Sequence, residues 1–234
     1  MKKICFIVSS PLTAYSFLRG PINKLSKDYE VYLILNEKNE YKKFIKILDV
    51  KKVFHFEILR KISVIKDIRC LIKMIYFLKK NKFDAIHSVS PKAGLIGMLA
   101  GRFALIPIRI HTFTGQVWAT KKGFFRFFLK SIDRIIDSSA THILVDGKSQ
   151  LKFLFENNIA INKGEILGNG SIAGISTKRF SPSIIERKKQ RKKLKIPNEE
   201  WVFMFLGRLN KDKGVIDLIR AFSLLDQSIN NCSL

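Results

Sequence analysis

The sequence predicts an α/β protein: a parallel sheet flanked by helices, followed by the first βα unit of a second domain of the same kind. Three observations predict it. Short apolar runs of strand length alternate with stretches of helical period. The runs end in polar loops carrying Ser, Pro, Gly, Thr or Lys, as strands of open α/β sheets do at the end where ligands bind. The alternation then pauses in a basic stretch at 181–195 and restarts with the apolar run Trp201 to Leu206.

The elements follow in order. Ile4–Val8 is too short for a helix and reads as a first strand, with Ser9-Ser10-Pro11-Leu12-Thr13 as its loop. Leu18, Ile22 and Leu25 recur at i, i+4 and i+7, a helical stripe that Pro21 either starts or kinks. Val31–Leu35 is a second strand, and Tyr41, Phe44, Ile45 and Leu48 mark a second helix. Val53–Ile58 is a third short strand. Ile65, Ile68, Ile72 and Ile75 mark a longer helix closing near Lys79-Lys80-Asn81, where basic residues suit the helix dipole. Asp84 to Ser88 is strand and loop, and Pro91 is placed to open a helix. Gly94, Gly97 and Gly101 follow about one turn apart. Their spacing fits neither G-x-G-x-x-G nor G-x-x-x-x-G-K-[ST], which favours a small-residue face packed on the sheet over a phosphate cradle. Ile106 to Thr112 is a strand, Phe124 to Ile136 an apolar helix and His142–Val145 a strand. Ser149 is expected to cap the helix through Phe155. Gly168-Asn169-Gly170 reads as a tight turn.

Composition narrows the function. In 234 residues, 47% hydrophobic and 11% aromatic content supports a packed core and excludes a disordered chain. The formal net charge of +24 calls for an acidic partner: nucleic acid, anionic lipid headgroups or a phosphorylated substrate. No helix-turn-helix, zinc or RNP pattern accompanies the charge, so nucleic acid is not expected. Cys5, Cys70 and Cys232 show neither zinc spacing nor a disulfide framework, and His55, His87, His111 and His142 form no metal-ligand pattern. No metal or cofactor is expected. Ile4–Val8 is too short for a signal-peptide core, and Arg102 and Pro107 interrupt the longest apolar window, so no spanning helix is expected.

Four stretches could carry chemistry. Arg109 to Gly115 ends a strand with a histidine, His111, two hydroxyls, Thr112 and Thr114, and a glycine, Gly115, that allows close backbone approach. A strand-end histidine satisfied by its neighbours would look the same. His87 to Lys92 is a further possible ligand loop, offering Ser90 and Lys92. Lys122, Arg126, Lys130 and Arg134 recur every four residues beside Phe124, Phe125, Phe127 and Phe128. That is the pattern of an interfacial helix, and equally of a buried helix with a solvated basic edge. Finally, Arg208 and Lys213 sit between a strand and a helix N-terminus, which suits a diphosphate or is ordinary surface charge.

These residues resemble a known family. Ser10-Pro11-Leu12-Thr13, His87-Ser88-Val89-Ser90-Pro91-Lys92-Ala93-Gly94, the run from Ile110 to Thr120, Gly168-Asn169-Gly170-Ser171, Arg179-Phe180, Gly207-Arg208-Leu209 and Lys213-Gly214 are similar to bacterial glycosyltransferases of family 4. Those have the GT-B architecture of two Rossmann-like domains and act in capsule, exopolysaccharide and O-antigen assembly. The resemblance implies sugar transfer from a nucleotide-sugar to a lipid-linked or glycan acceptor without a metal, in the cytoplasm or peripherally at the inner membrane face. It implies His111 as the group at the reaction centre, and acceptor and donor loops at Ser10, Pro11, Thr13, Ser90, Lys92, Thr112, Thr114, Gly115, Asn169 and Gly170. It further implies Arg208 and Lys213 at the donor diphosphate. The division expected is 1–180 as an acceptor-side domain, 181–198 as a basic linker and 199–234 as the incomplete start of a nucleotide-sugar domain. The family's Glu-x7-Glu element does not occur in these 234 residues. The expectation is therefore a truncated chain, inactive alone. The other reading is a non-catalytic module for an anionic membrane surface, held through Lys122, Arg126, Lys130 and Arg134.

Overall fold

Cys5, Phe6, Ile7 and Val8 are all fully buried. A strand that hides both faces needs neighbours on both edges and helices on both sides, and the fold supplies them. The computed structural model describes residues 1–36, 42–59, 62–207, 209–226 and 232–233. They divide into two units, Met1–Gly174 and Ile175–Leu234.

In the first unit the strands are β1 (Lys3–Ile7), β2 (Glu30–Leu35), β3 (Lys52–His55), β4 (Ala85–Val89), β5 (Ile108–Phe113), β6 (His142–Val145) and β7 (Gly164–Ile166). They form one seven-stranded sheet in the order β3-β2-β1-β4-β5-β6-β7. Every pairing is parallel. The chain grows outward from β1 in one direction, then returns past it to β4 and grows in the other. The order therefore reverses between β1 and β4, and a crevice opens at their C-terminal ends.

The helices show what periodicity reads and what it misses. Pro21 neither starts a helix nor breaks one. The chain is helical through α1 (Pro11–Thr13), a π-turn (Ala14–Leu18) and α2 (Arg19–Leu25). Proline has no N–H to offer the preceding turn, and a widened turn there accommodates it. Ala14, Leu18 and Ile22 form the fully buried stripe. The amphipathic stretch near Phe44 is the short α3 (Lys42–Ile45), and Tyr41 lies outside the described residues. β3 is shorter than expected because it is an edge strand, paired among the described residues to β2 alone. In α4 (Val64–Asn81) the inward residues are Cys70, Met74 and Leu78, while Ile65, Ile68 and Ile72 face solvent. Two apolar stripes run along this helix, and only one of them meets the core.

The glycines of α5 (Pro91–Phe103) do form a packed face. A Cβ at Gly97 would lie 3.0 Å from Ile7 Cδ1, and one at Gly101 only 2.2 Å from Ile86 Cδ1. α6 (Gly123–Ser139) and α7 (Lys148–Glu156) complete the unit. Ser149 is not the cap expected. α7 starts behind Gly147, and Gln150 reaches back instead, its Oε1 accepting the Asp146 N–H at 3.0 Å.

The second unit holds α8 (Ile184–Leu194), β8 (Trp201–Val202), α9 (Val215–Asp226) and β9 (Cys232–Ser233). The basic stretch is the surface of α8, which buries no residue and is capped by Ser183 accepting the Glu186 N–H. Of the apolar run 201–206, only Trp201 and Val202 enter a ladder, parallel to β9.

Candidate functional site

The site grows from the two strand ends where the sheet order reverses. Beyond β1, Ser9 is nearly buried, and Ser10 caps α1, its Oγ accepting the Thr13 N–H and sharing a hydrogen bond with Thr13 Oγ1 at 2.9 Å. Pro11 takes the first helical position, where a missing N–H costs nothing. Beyond β4, Ser90 has φ 83° and ψ 147°, a backbone state that costs a side-chain-bearing residue about 1–3 kcal/mol. Its hydroxyl donates to Ser9 Oγ at 3.2 Å, tying the two strand ends together. Lys92, in the first turn of α5, places Nζ 2.7 Å from Asp67 Oδ2 of α4. Asp67 also accepts the Ser63 N–H, while its Oδ1 is buried without a partner among the described residues.

Ser9, Thr13, Ser90 and Lys92 line a cavity of about 440 Å³. Leu95, Val117, Phe125, Leu129 and Ile132 add apolar lining, and Asp133 lines it as well. Such a cavity suits a molecule with a polar, anionic end and an apolar body.

The wall beside it is built on Trp118. The indole is 1% exposed, and its Nε1 donates to Asp133 Oδ2 at 2.7 Å. The ring stacks on Phe153 at 5.1 Å. Arg126 and Lys130 lie over it at 5.2 and 5.5 Å, within cation–π range. Arg126 also donates to the Ala119 carbonyl at 3.0 Å, and Lys130 to Asn157 Oδ1 at 2.8 Å. The four cations of the α6 stripe are therefore not equivalent. Arg126 and Lys130 hold the Trp118 loop, whereas Lys122 and Arg134 are exposed. Burial pushes Asp133 up to about 6, against the pull of the indole hydrogen bond.

The sequence leads one to expect His111 at the open end of β5, and here the structure differs. Thr114 and Gly115 lie exposed beyond the strand, Gly115 with φ 136°, a glycine conformation. His111 is 1% exposed, its ring packed under α5 where Gly94 leaves room. A Cβ on Gly94 would sit 2.4 Å from His111 Cε1. Ser88 Oγ is 2.8 Å from Nδ1, and Nε2 is buried with no partner among the described residues. Burial holds the ring down to about 3, so it is neutral and a poor base. The cause is strand alternation: residue 111 points to the α5 face, not out of the strand end. Thr112 points to the other face, where its hydroxyl meets His87 Nε2 at 2.7 Å.

The Gly168-Asn169-Gly170 turn sits beyond β7, in the same unit. Gly168 and Gly170 have φ 58° and 90°, and Asp146 secures the turn by accepting the Ser171 and Ile172 N–H groups at 2.9 Å each. Lys213 is exposed in a 3₁₀ turn, Lys211–Lys213, of the second unit. Arg208 lies outside the described residues. The structure thus brings Thr13, Ser90 and Lys92 to one cavity, with Ser10 capping the helical turn that carries Thr13 and Pro11 buried in it. Sequence reasoning missed the Trp118–Asp133 pair and the Asp67 partner of Lys92. The available signals were Asp133 within the apolar and basic part of α6 and Asp67 in the first turn of the otherwise acid-free α4.

The whole arrangement has relatives. Residues 3–146 match the family described as glycosyl transferase 4-like, and residues 186–234 match glycosyl transferases group 1. The Staphylococcus aureus capsular polysaccharide biosynthesis glycosyltransferase CapM is 33% identical over 210 residues, covering 89% of this chain and 54% of that protein. The Escherichia coli UDP-Gal:α-D-GlcNAc-diphosphoundecaprenol α-1,3-galactosyltransferase is 28% identical over 170 residues, covering 70% and 42%. This chain thus spans about half the length of these two relatives. Among solved structures, Anabaena HepE in complex with UDP and glucose superposes with a TM-score of 0.70 at 13% identity, over 96% of this chain and 58% of that one, a likeness of fold. With well over half of its residues under one family model, and the reversed-order parallel sheet to match, the chain belongs to the glycosyl transferase 4-like family.

Proposed function

We propose that the chain serves sugar transfer from a nucleotide-sugar donor to an acceptor carried on a lipid diphosphate. The observation that carries this reading is the cavity at the β1/β4 reversal, whose lining combines Lys92 and the hydroxyls of Ser9, Thr13 and Ser90 with apolar side chains of α5 and α6. Lys92, Ser9 and Ser90 suit an acceptor diphosphate, and Leu95, Leu129 and Ile132 suit its first apolar groups. Family membership supports the reaction class, and the Escherichia coli relative is named for an acceptor of this kind.

In this reading Arg208 and Lys213 stabilise the departing nucleotide diphosphate by charge, in place of a metal. Thr114, Gly115, Asn169 and Gly170 offer hydroxyl, amide and backbone groups to the sugars. His111, buried and neutral, holds the end of β5 against α5 rather than exchanging a proton with substrate. The test is transfer of labelled sugar from a panel of nucleotide-sugars to a polyprenyl-diphosphate-linked acceptor, together with acceptor binding. Lys92→Ala should weaken acceptor binding about tenfold or more, the scale of a charge-assisted contact. Unchanged acceptor binding by that variant would sink the assignment of the cavity.

A second reading, a non-catalytic module for an anionic membrane surface, is favoured by α6. Phe124 is 81% exposed, with Phe127, Phe128, Lys122 and Arg134 exposed around it. Among the described residues no helix is long and apolar enough to cross a membrane, so contact of this kind would be peripheral. Lys122→Gln with Arg134→Gln should lower binding to anionic vesicles, each cation near such a surface being worth about 1 kcal/mol. Equal vesicle binding by that double variant would remove α6 from the reading.

A further inference from the structure

The outer face of α4 has no role so far. Ile65 is 67%, Ile68 52%, Ile72 61% and Tyr76 70% exposed. They recur at i, i+3, i+7 and i+11 and so form one stripe along the helix. The fold does not require these side chains, because Cys70, Met74 and Leu78 fix α4 to the core from the opposite side. Along one flank of the stripe run Lys66, Arg69 and Lys73. These three line a cleft of about 480 Å³, with His55, Phe56 and Glu57 opposite. Among the described residues none of the three cations makes an ion pair. Lys79 and Lys80 close the helix, both exposed.

We infer that α4 is a docking face for an anionic phospholipid bilayer. Ile65, Ile68, Ile72 and Tyr76 enter the boundary between headgroups and acyl chains, and the Lys66–Arg69–Lys73 cleft receives headgroup phosphates. Charge complementarity selects this occupant. A row of exposed isoleucines flanked by unpaired cations matches an apolar interior beneath a negatively charged surface. A second copy of the chain is disfavoured, since self-association through this face would set like charges against each other. The inference extends the membrane-surface reading to a different helix, and the variants below separate the two.

The experiment is co-sedimentation of the 234-residue chain with phosphatidylcholine vesicles, with and without phosphatidylglycerol. The wild type should bind the phosphatidylglycerol vesicles. The triple variant Ile65→Ser, Ile68→Ser, Ile72→Ser should bind them at least about tenfold more weakly, with unchanged thermal unfolding, because the replaced side chains lie outside the core. Lys66→Gln, Arg69→Gln, Lys73→Gln should lose the preference for phosphatidylglycerol. A nitroxide on Ile72→Cys, in a Cys232→Ser background, should become accessible to oxygen and shielded from a polar relaxant when vesicles are added. Wild-type binding by the triple serine variant, or a label that stays in water, would overturn the inference even if Lys122→Gln with Arg134→Gln abolished binding. So would a vesicle-free dimer in sedimentation equilibrium that the serine variant turned into a monomer.

Discussion

The opening strands of the two units are alike in sequence and end in different states. Lys3–Ile7 and Trp201–Val202 each begin an apolar run followed by a polar loop and a helix. β1 has a partner on each edge and buries Cys5, Phe6 and Ile7 completely. Among the described residues β8 has one two-residue partner, and Trp201 is 72% exposed. The difference teaches that an apolar run states a capacity for burial. Neighbours on both edges and both faces realise it.

Phe6→Ala should show the largest effect. It removes a ring from a closed interior and should cost the first unit about 3–5 kcal/mol, read as a lower denaturant midpoint. A loss under about 1 kcal/mol would mean that β1 is not the keystone its burial suggests.

The same interior should carry a pH dependence. His111 is held down to about 3 against an ordinary 6.5, and His87 to about 4. Both take up a proton more readily in the unfolded chain, so their contribution is present above about 6.5 and is lost as pH falls toward 4. For His111 the loss is on the order of 2–3 kcal/mol. Asp133 works in the opposite sense. Raised to about 6, it contributes stability below its ordinary 3.8 that is lost as pH rises through about 6. Thermal melts across this range should therefore show a falling Tm toward acid, and His111→Asn should flatten the slope. An identical slope in that variant would remove His111 from the account.

Gly94→Ala comes next. Its Cβ would press on the His111 ring at 2.4 Å, and overpacking of this kind costs about 1–3 kcal/mol. In a His111→Ala background the same change should cost much less. Full additivity of the two substitutions would show that the ring and the glycine are not coupled. Smallest of all should be Trp201→Ala. A large aromatic side chain so exposed should change stability by about 0.5 kcal/mol or less. A loss like that of Phe6→Ala would erase the contrast between the two strands.

Much of this was legible in the sequence. The strands β1, β2, β4, β5 and β6 announce themselves as runs of strand length, and the spacing of Gly94, Gly97 and Gly101 favours a packed face over a phosphate cradle. The β1/β4 crevice residues stand out because polar loops follow apolar runs. What could not be read was direction. Period 3.6 locates α4 but does not say that Cys70, Met74 and Leu78 rather than the isoleucines turn inward, since both stripes satisfy it. Period 2 locates β5 but not which of His111 and Thr112 lies under a helix. The pairing of Trp118 with Asp133 spans a loop and half a helix, and no local rule joins them. Within the basic stripe, spacing treats Arg126 and Lys122 alike, and only the position of the indole separates them.

The bond from Ser90 to Ser9 has a consequence for selectivity. It joins the tips of two adjacent strands, whose separation is set by the backbone ladder at roughly 4.8 Å. Ser9 and Ser90 follow directly on those strands, so this side of the cavity is gauged by the ladder and by the one hydroxyl bond that spans it. The wall formed by Leu129 and Ile132 of a helix has no such constraint. If the proposed acceptor occupies this cavity, acceptors should be sorted strictly beside Ser9 and Ser90 and leniently beside α6, like keys that share a bit and differ in the length of the shank.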